Sequence, residues 1–306
     1  MDVDEYCGLI QDYPRFDLSS NVRGELFTYS TVDDPRLSEL RDTYGLGQVA
    51  GEGDCWSKAT RLLSWTFEQL FHVGRTISPE PRDALNILAH RKTGSLFCIH
   101  KSIVLNEALL SVGLPSRLLW CYPYEFDSDC HVVVLVYVPE LGKWAVLDPA
   151  FNTYFHGDDG APSSVLEVRG AYASGSLPAF RSITIDKRWK LVMNGVTCET
   201  YDRFYQLYMA KNCFRFSSPA DSRVGCSTDL QVRRVFLNPK GFTTTNQYDS
   251  STRDPASNVY ITSALCLFRS TLKGVSHAEA NDLSPQRLEV ATGRGIHRPL
   301  SAAVIP

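Results

Sequence analysis

The sequence predicts an α+β fold in which one apolar helix packs against antiparallel strands. Three observations carry that expectation. Phe97–Val112 places Ile99, Ile103, Val104, Ala108 and Leu109 at helical spacing, and Gly113 and Pro115 end the run. His131–Val138, HVVVLVYV, is a β-branched stretch of strand length held between Asp129 and Pro139. Gly142–Leu147 follows across a Pro-Glu-Leu-Gly turn and is its expected hairpin partner, closing at Asp148-Pro149.

The other elements fall around this centre. Residues 1–50 read as an irregular leader interrupted by Pro14 and Pro35, with a brief helix near Leu37–Arg41. Asp54–Val73 is a convincing helix: Trp56, Ala59, Leu62, Leu63, Thr66 and Leu70 recur near a 3.6 period, and Gly74 supplies a stop. A Pro-containing loop over Ser78–Arg82 leads to a short helix, Asp83–His90. Ser116–Tyr122 reads as a strand. Beyond Phe151, Gly157–Gly160 is a turn-rich loop and Ser164–Arg169 a short helix or strand. Thr200–Lys211 is expected to be a helix, Val232–Leu237 and Val259–Phe268 strands, and Gly241–Asn258 a long loop. The last thirty residues read as partly extended, and no internal repeat or low-complexity tract is present.

Composition narrows the function. Thirty-one Lys and Arg face 34 Asp and Glu, a net charge of -3, and with no long Lys/Arg run this balance gives no reason to expect a nucleic-acid partner. The 43% apolar and 21% charged content is that of a globular protein. Nine Cys with no Cys-x-x-Cys pair suggest neither a structural zinc site nor a redox couple, and mostly free buried thiols in a reducing compartment. The opening MDVDEYCGLI lacks the basic and apolar regions of a signal peptide, so a cytoplasmic location is expected. The longest strongly apolar run, Val132–Val138, is too short to cross a bilayer, and no membrane partner is expected.

Three residues at element ends carry the candidate chemistry. Cys98 starts a helix, where unpaired N–H groups favour an anion. His131 opens one strand and Asp148 closes the next, so pairing of the two brings a base and an orienting carboxylate to one rim. A thiolate held by an imidazole attacks carbonyl carbon, and the imidazole then protonates the leaving group. Each residue also has an ordinary reading: a Cys at the edge of an apolar helix is usually core, and His at a strand start or Asp before Pro is common turn chemistry. His100 lies two residues after Cys98 and faces away from it on a helix, whereas His72 is a reserve base that could line a cleft.

Three blocks resemble the transglutaminase-like superfamily, the papain-related fold that also includes bacterial and archaeal cysteine proteases and deglycosylating amidases. FCIHKSIVLNEALLSVGLPSRLL, Phe97–Leu119, resembles its nucleophile helix, Gly-Leu-Pro turn and following Arg strand. DCHVVVLVYV, Asp129–Val138, resembles its histidine strand, and GKWAVLDPAFNTYF, Gly142–Phe155, its Trp-containing acid strand. LLSWTFEQLFHVG resembles the preceding helix of bacterial members, and YQLYMAKN gives a weaker likeness downstream.

The resemblance implies a papain-like core with its nucleophile helix packed against an antiparallel sheet, spanning residues 51–192. A leader, 1–50, would pack on it, and a C-terminal extension, 193–306, would complete the sheet or cleft. It implies Cys98 as nucleophile, His131 as base and Asp148 as orienting group, with the Cys98 backbone N–H as oxyanion donor. Trp56 is the candidate second donor, set against a role as a buried helix anchor. Arg117 is expected to be a structural, buried or half-buried pairing partner rather than a substrate clamp, and Trp144 to pack its strand against the nucleophile helix, with cleft lining as its alternative. Ser95-Leu96-Phe97 departs from the Gly or Asn that often precedes the nucleophile. Gly157-Asp158-Asp159-Gly160 lacks EF-hand ligand spacing, and neither metal nor cofactor is implied. The implied activity is cysteine-dependent hydrolysis of a peptide or amide bond through a thioester, on a peptide or protein substrate. The alternatives are acyl transfer to a primary amine on the same residues, or a binding module of the same fold.

Overall fold

The chain opens with a helix where the sequence reading expects an irregular leader. In the computed structural model, which describes residues 1–16, 27–70, 82–92, 96–124, 130–183, 192–193, 196–226, 234–242, 258–260 and 302–305, α1 spans Val3–Asp12. Asp2 and Glu5 form a capping box: the Asp2 carboxylate accepts the Glu5 N–H at 3.0 Å and the Glu5 carboxylate accepts that of Asp2. β1 (Phe27–Ser30) follows, then α2 (Pro35–Tyr44), which extends the predicted Leu37–Arg41 turn in both directions because Asp34 caps it and Pro35 starts it. Gly45, at φ 60, ends α2 and leads into α3 (Leu46–Ala50). α4 (Cys55–Gln69) begins where Asp54 accepts the Ser57 N–H at 2.7 Å. Its predicted continuation to Val73, with His72 and Gly74, lies outside the described residues, as does the Ser78–Pro81 part of the loop.

α5 (Ala84–Ala89) and α6 (Cys98–Ser111) precede a run of strands: β2 (Ser116–Tyr122), β3 (His131–Val138), β4 (Lys143–Asp148) and β5 (Thr153–Phe155). A 3-10 turn at Pro139–Leu141 and Gly142 at φ 59 make the β3–β4 connection. Ser164 caps α7 (Val165–Ala173), resolving the helix-or-strand ambiguity in favour of helix. Then come β6 (Phe180–Ser182), β7 (Val192–Met193), β8 (Val196–Thr197), α8 (Tyr201–Asn212), β9 (Arg215–Pro219), β10 (Asp221–Ser222), β11 (Arg234–Leu237), β12 (Asn258–Tyr260) and β13 (Ala302–Ile305). Most of the predicted Gly241–Asn258 loop and the end of the Val259–Phe268 strand lie outside the described residues.

Among the described residues the main sheet has eight strands in the order β12-β11-β9-β2-β3-β4-β5-β6, antiparallel except where β11 meets β12. β10, β1 and β13 form a three-stranded sheet, and β7 with β8 a two-stranded one.

β3 is buried along its whole length, and its residues alternate between two cores. Val132, Val134, Val136 and Val138 join Ala59, Leu62 and Leu63 of α4 and Ile103, Val104, Ala108 and Leu109 of α6. Val133, Leu135 and Tyr137 face Tyr172 of α7, Tyr205 of α8 and Ile10 of α1. Both faces are covered, so the strand is continuously apolar rather than alternating. Each fully buried Val or Leu contributes roughly 1.5–3 kcal/mol. The α6 helix is tied to this strand by Ser102, whose hydroxyl donates to the Val132 carbonyl at 2.8 Å. The helix and strand that carry Cys98 and His131 are thus fixed against each other.

Arg117 is wholly buried. Its guanidinium lies 4.3 Å from the Phe27 ring centre and 4.1 Å from that of Trp144. This is the structural role expected of it. Trp144 differs from expectation. It packs on Arg117, Tyr29 and Tyr137, on the sheet face opposite the one covered by Ile103, Val104 and Ala108 of α6. Strand alternation decides this: Ala145 and Leu147 take the α6 side, which leaves Trp144 and Val146 for the other.

Candidate active site

Cys98 is the first residue of α6. Phe97 before it has extended backbone and lacks a capping side chain. His100 caps the turn in its place, with Nδ1 accepting the Phe97 N–H at 3.1 Å. That nitrogen therefore carries no proton. The first-turn N–H groups of a helix have no intrahelical acceptor and favour negative charge nearby. The Cys98 sulfur is half-buried and lies 3.9 Å from the Cys130 carbonyl oxygen.

The β-sheet register brings His131 and Asp148 together. Val134 pairs with Leu147 on the α6 face, so the next residue, Asp148, turns to the other face, the face of Val133 and His131. The two side chains meet at 2.7 Å, His131 Nε2 to Asp148 Oδ2. Asp148 has two further donors: the Ala150 N–H to Oδ1 at 3.0 Å and the Tyr205 hydroxyl to Oδ2 at 3.0 Å. His131 Nδ1 lies 3.4 Å from the Tyr208 hydroxyl, and the ring packs edge-on against Phe151 and Tyr208.

Burial alone would lower the pKa of His131, because it penalises the imidazolium. The Asp148 carboxylate overrides that penalty, and the Cys98 thiol adds a smaller push, so the net shift is upward, to about 10. Other thiols are held protonated: burial raises Cys121 well above the ordinary range and Cys213 to about 12, and burial with the Glu140 carboxylate raises Cys55 to about 12.

His131 and Asp148, singled out in the sequence, are therefore in direct contact, and the Cys98 thiol is close enough to act on the charge of His131. Trp56 is half-buried and packs edge-on against Tyr154 at 5.1 Å. His72 lies outside the described residues. Sequence reasoning misses Tyr205 and Tyr208; their spacing of three on a helix is the available signal, since it sets two hydroxyls on one face. Among the described residues no group of three or more His, Cys, Asp and Glu side chains is placed to hold a metal ion. No described helix is long and apolar enough to cross a membrane.

Residues 42–149 match the Transglutaminase-like superfamily, a span that contains Cys98, His131 and Asp148. This segment is a transglutaminase-like core. It runs from the last turn of α2 to the end of β4, so Asp148 sits at its edge and α8 lies outside it. No curated protein matches the chain. Among solved structures, a candidate protease from Parabacteroides distasonis is similar at 14% identity and a TM-score of 0.27, over 48% of this chain and 30% of that one. A candidate cysteine protease from Cytophaga hutchinsonii is similar at 15% identity and a TM-score of 0.28, over 50% of this chain and 52% of that one. The chain thus spans about a third and about half of the length of these two proteins, and scores this low add nothing to what the transglutaminase-like core itself says of the fold.

Proposed function

We propose that the protein is a cysteine-dependent hydrolase acting on a peptide or amide bond, with Cys98 as nucleophile, His131 as base and acid, and Asp148 as the group that orients His131. The observation that supports this reading is His131: it is wholly buried, its Nε2 is committed to Asp148 at 2.7 Å, and the Cys98 thiol at the start of α6 is among the groups that raise its pKa. That commitment leaves Nδ1, which the Tyr208 hydroxyl approaches at 3.4 Å, as the ring nitrogen that exchanges a proton with sulfur.

Cys98 reacts as the thiolate, its proton already held by the His131 imidazolium, and attacks the carbonyl carbon. The oxyanion is received by backbone N–H groups of the first turn of α6, the Cys98 N–H first among them. Collapse breaks the C–N bond, and the imidazolium hands its proton to the leaving amine. The thioester that remains is attacked by water, with His131 again taking a proton, and a carboxylic acid leaves as the thiol is restored. Phe97, 55% exposed beside the nucleophile, offers an apolar contact to a substrate side chain flanking the scissile bond. A primary amine in place of water gives acyl transfer from the same thioester.

The test is site-mapped labelling with a thiol-directed electrophile at neutral pH. Fast modification confined to Cys98, lost in His131→Ala, is expected. Slow modification spread over several cysteines, equal in both proteins, defeats the reading. Mass analysis of a peptide library with and without an added primary amine then separates hydrolysis from transfer.

A further inference from the structure

We infer that α8, which lies outside the transglutaminase-like core, completes the site by placing one tyrosine hydroxyl on each member of the buried His131–Asp148 pair. Tyr205 donates to Asp148 Oδ2 at 3.0 Å, the same oxygen that takes His131 Nε2 at 2.7 Å. Tyr208, one helical turn on, sets its hydroxyl 3.4 Å from His131 Nδ1 and its ring edge-on to the imidazole at 4.9 Å. Both are positioning residues, and their assignment rests on the nucleophile–base reading proposed above.

The chemistry follows from what each hydroxyl touches. An aspartate in a sealed site keeps its charge only while donors surround it. Tyr205 is one of three, with His131 and the Ala150 N–H. It also stops the carboxylate rotating away from Nε2. The Tyr205 hydroxyl is itself held protonated by burial and by the Asp148 charge, so it stays a donor across the working range. Tyr208 faces the nitrogen that exchanges its proton with sulfur. Its oxygen accepts from Nδ1–H in the imidazolium and so favours the charged form of the ring.

The groups around the pair come from several elements. Asp148 faces His131 from β3, Tyr201 and Tyr205 from α8, Cys121 from β2 and Cys213 beyond α8. His131 faces Asp148, Cys98 from α6 and Tyr208. The two tyrosines are joined to the pair by their hydroxyls, so Phe substitutions remove one atom from each contact and leave the ring packing in place.

The experiment measures electrophile labelling of Cys98 against pH, together with NMR titration of the His131 ring, in the full chain. Tyr205→Phe is expected to slow labelling about tenfold, the loss of one charge-assisted hydrogen bond. Tyr208→Phe is expected to lower the pH at which the His131 ring titrates. Tyr172→Phe is the control: its hydroxyl bonds Gln206 of α8 at 2.7 Å and does not touch the pair, so it costs stability without moving either curve. Wild-type profiles retained in both Tyr205→Phe and Tyr208→Phe would overturn this inference alone. Indiscriminate labelling of the wild type would overturn the nucleophile reading and this inference with it. Tyr208 is less buried than Tyr205, so Tyr208→Phe decides the matter if Tyr205→Phe does not fold.

Discussion

His131 and Asp148 meet through Nε2 and Oδ2 at 2.7 Å with side chains only 1% and 0% exposed. A buried ion pair of this kind owes little to either charge alone. Removing one partner leaves the other stranded in a medium that penalises it. The pair is also held by neighbours on three sides, Ala150, Tyr205 and Phe151.

Asp148→Asn tests that relationship with almost no change of shape. The amide can donate to Nε2, which flips the imidazole's preferred tautomer and removes the charge that raises its pKa. Labelling of Cys98 at neutral pH should fall on the order of a hundredfold or more. A variant that labels at the wild-type rate would show that Asp148 does not support the thiolate.

The same pair makes stability depend on pH in the alkaline range. The folded pKa of His131, about 10, lies above its ordinary value of 6.5. Between those values the folded state holds a proton that the unfolded state has lost, so stability declines as pH rises. The contribution is complete below about pH 6.5 and gone once pH has passed through about 10. Urea midpoints across that window should fall in the wild type and flatten in Asp148→Asn. Parallel slopes in the two proteins would contradict the assignment.

Glu107 shifts stability in a lower window. This carboxyl is buried in α6, accepting the Ala84 N–H at 2.8 Å and the Gly225 N–H at 3.3 Å. Burial raises its pKa to about 8, with those two donors pulling the other way. The folded state therefore keeps a proton from the ordinary 4.5 up to about 8, and stability declines as pH rises through that interval. Glu107→Gln should remove this slope and leave the protein at least as stable as wild type at pH 9. A variant less stable at pH 9 would mean that the carboxylate is the form the fold favours.

Arg117 lies between two rings, 4.3 Å from Phe27 and 4.1 Å from Trp144. A lysine there keeps the charge and loses the plane that stacks. Arg117→Lys should cost about 3 kcal/mol, the range for stranding a buried charge. Arg117→Met, which removes the charge, should cost less. Chemical denaturation of the two variants checks the order, and a lysine variant as stable as wild type would remove the stacking argument.

Much of the fold is legible in the sequence. β2 and β3 have the predicted bounds, because a β-branched run between turn residues has few other uses. α6 is readable from Gly113 and Pro115. Alternation along β3 and β4 also places His131 and Asp148 on one rim. It does not say which face α6 covers, and that is why Trp144 is expected on the wrong side. The capping box of α1 is present as Asp2 and Glu5 but is masked by an acidic leader. Tyr205 and Tyr208 are hidden for another reason. They reach Asp148 and His131 across 57 and 77 residues, and periodicity predicts the helix without its docking site.

The start of the nucleophile helix gives the last test. His100 Nδ1 accepts the Phe97 N–H at 3.1 Å, and this bond fixes where the chain enters α6 and therefore where Cys98 points. His100→Ala removes the acceptor from a site only 3% exposed, so stability should fall by about 1–2 kcal/mol. Labelling of Cys98 should slow severalfold as the first turn frays. Gln at the same third helical position carries an oxygen that can reach back to the same N–H, as in a capping box. His100→Gln should therefore recover most of the labelling rate, and the comparison separates capping from proton transfer, since glutamine does not titrate. Equal losses in the alanine and glutamine variants would mean that the imidazole of His100 acts in the chemistry and not at the helix end.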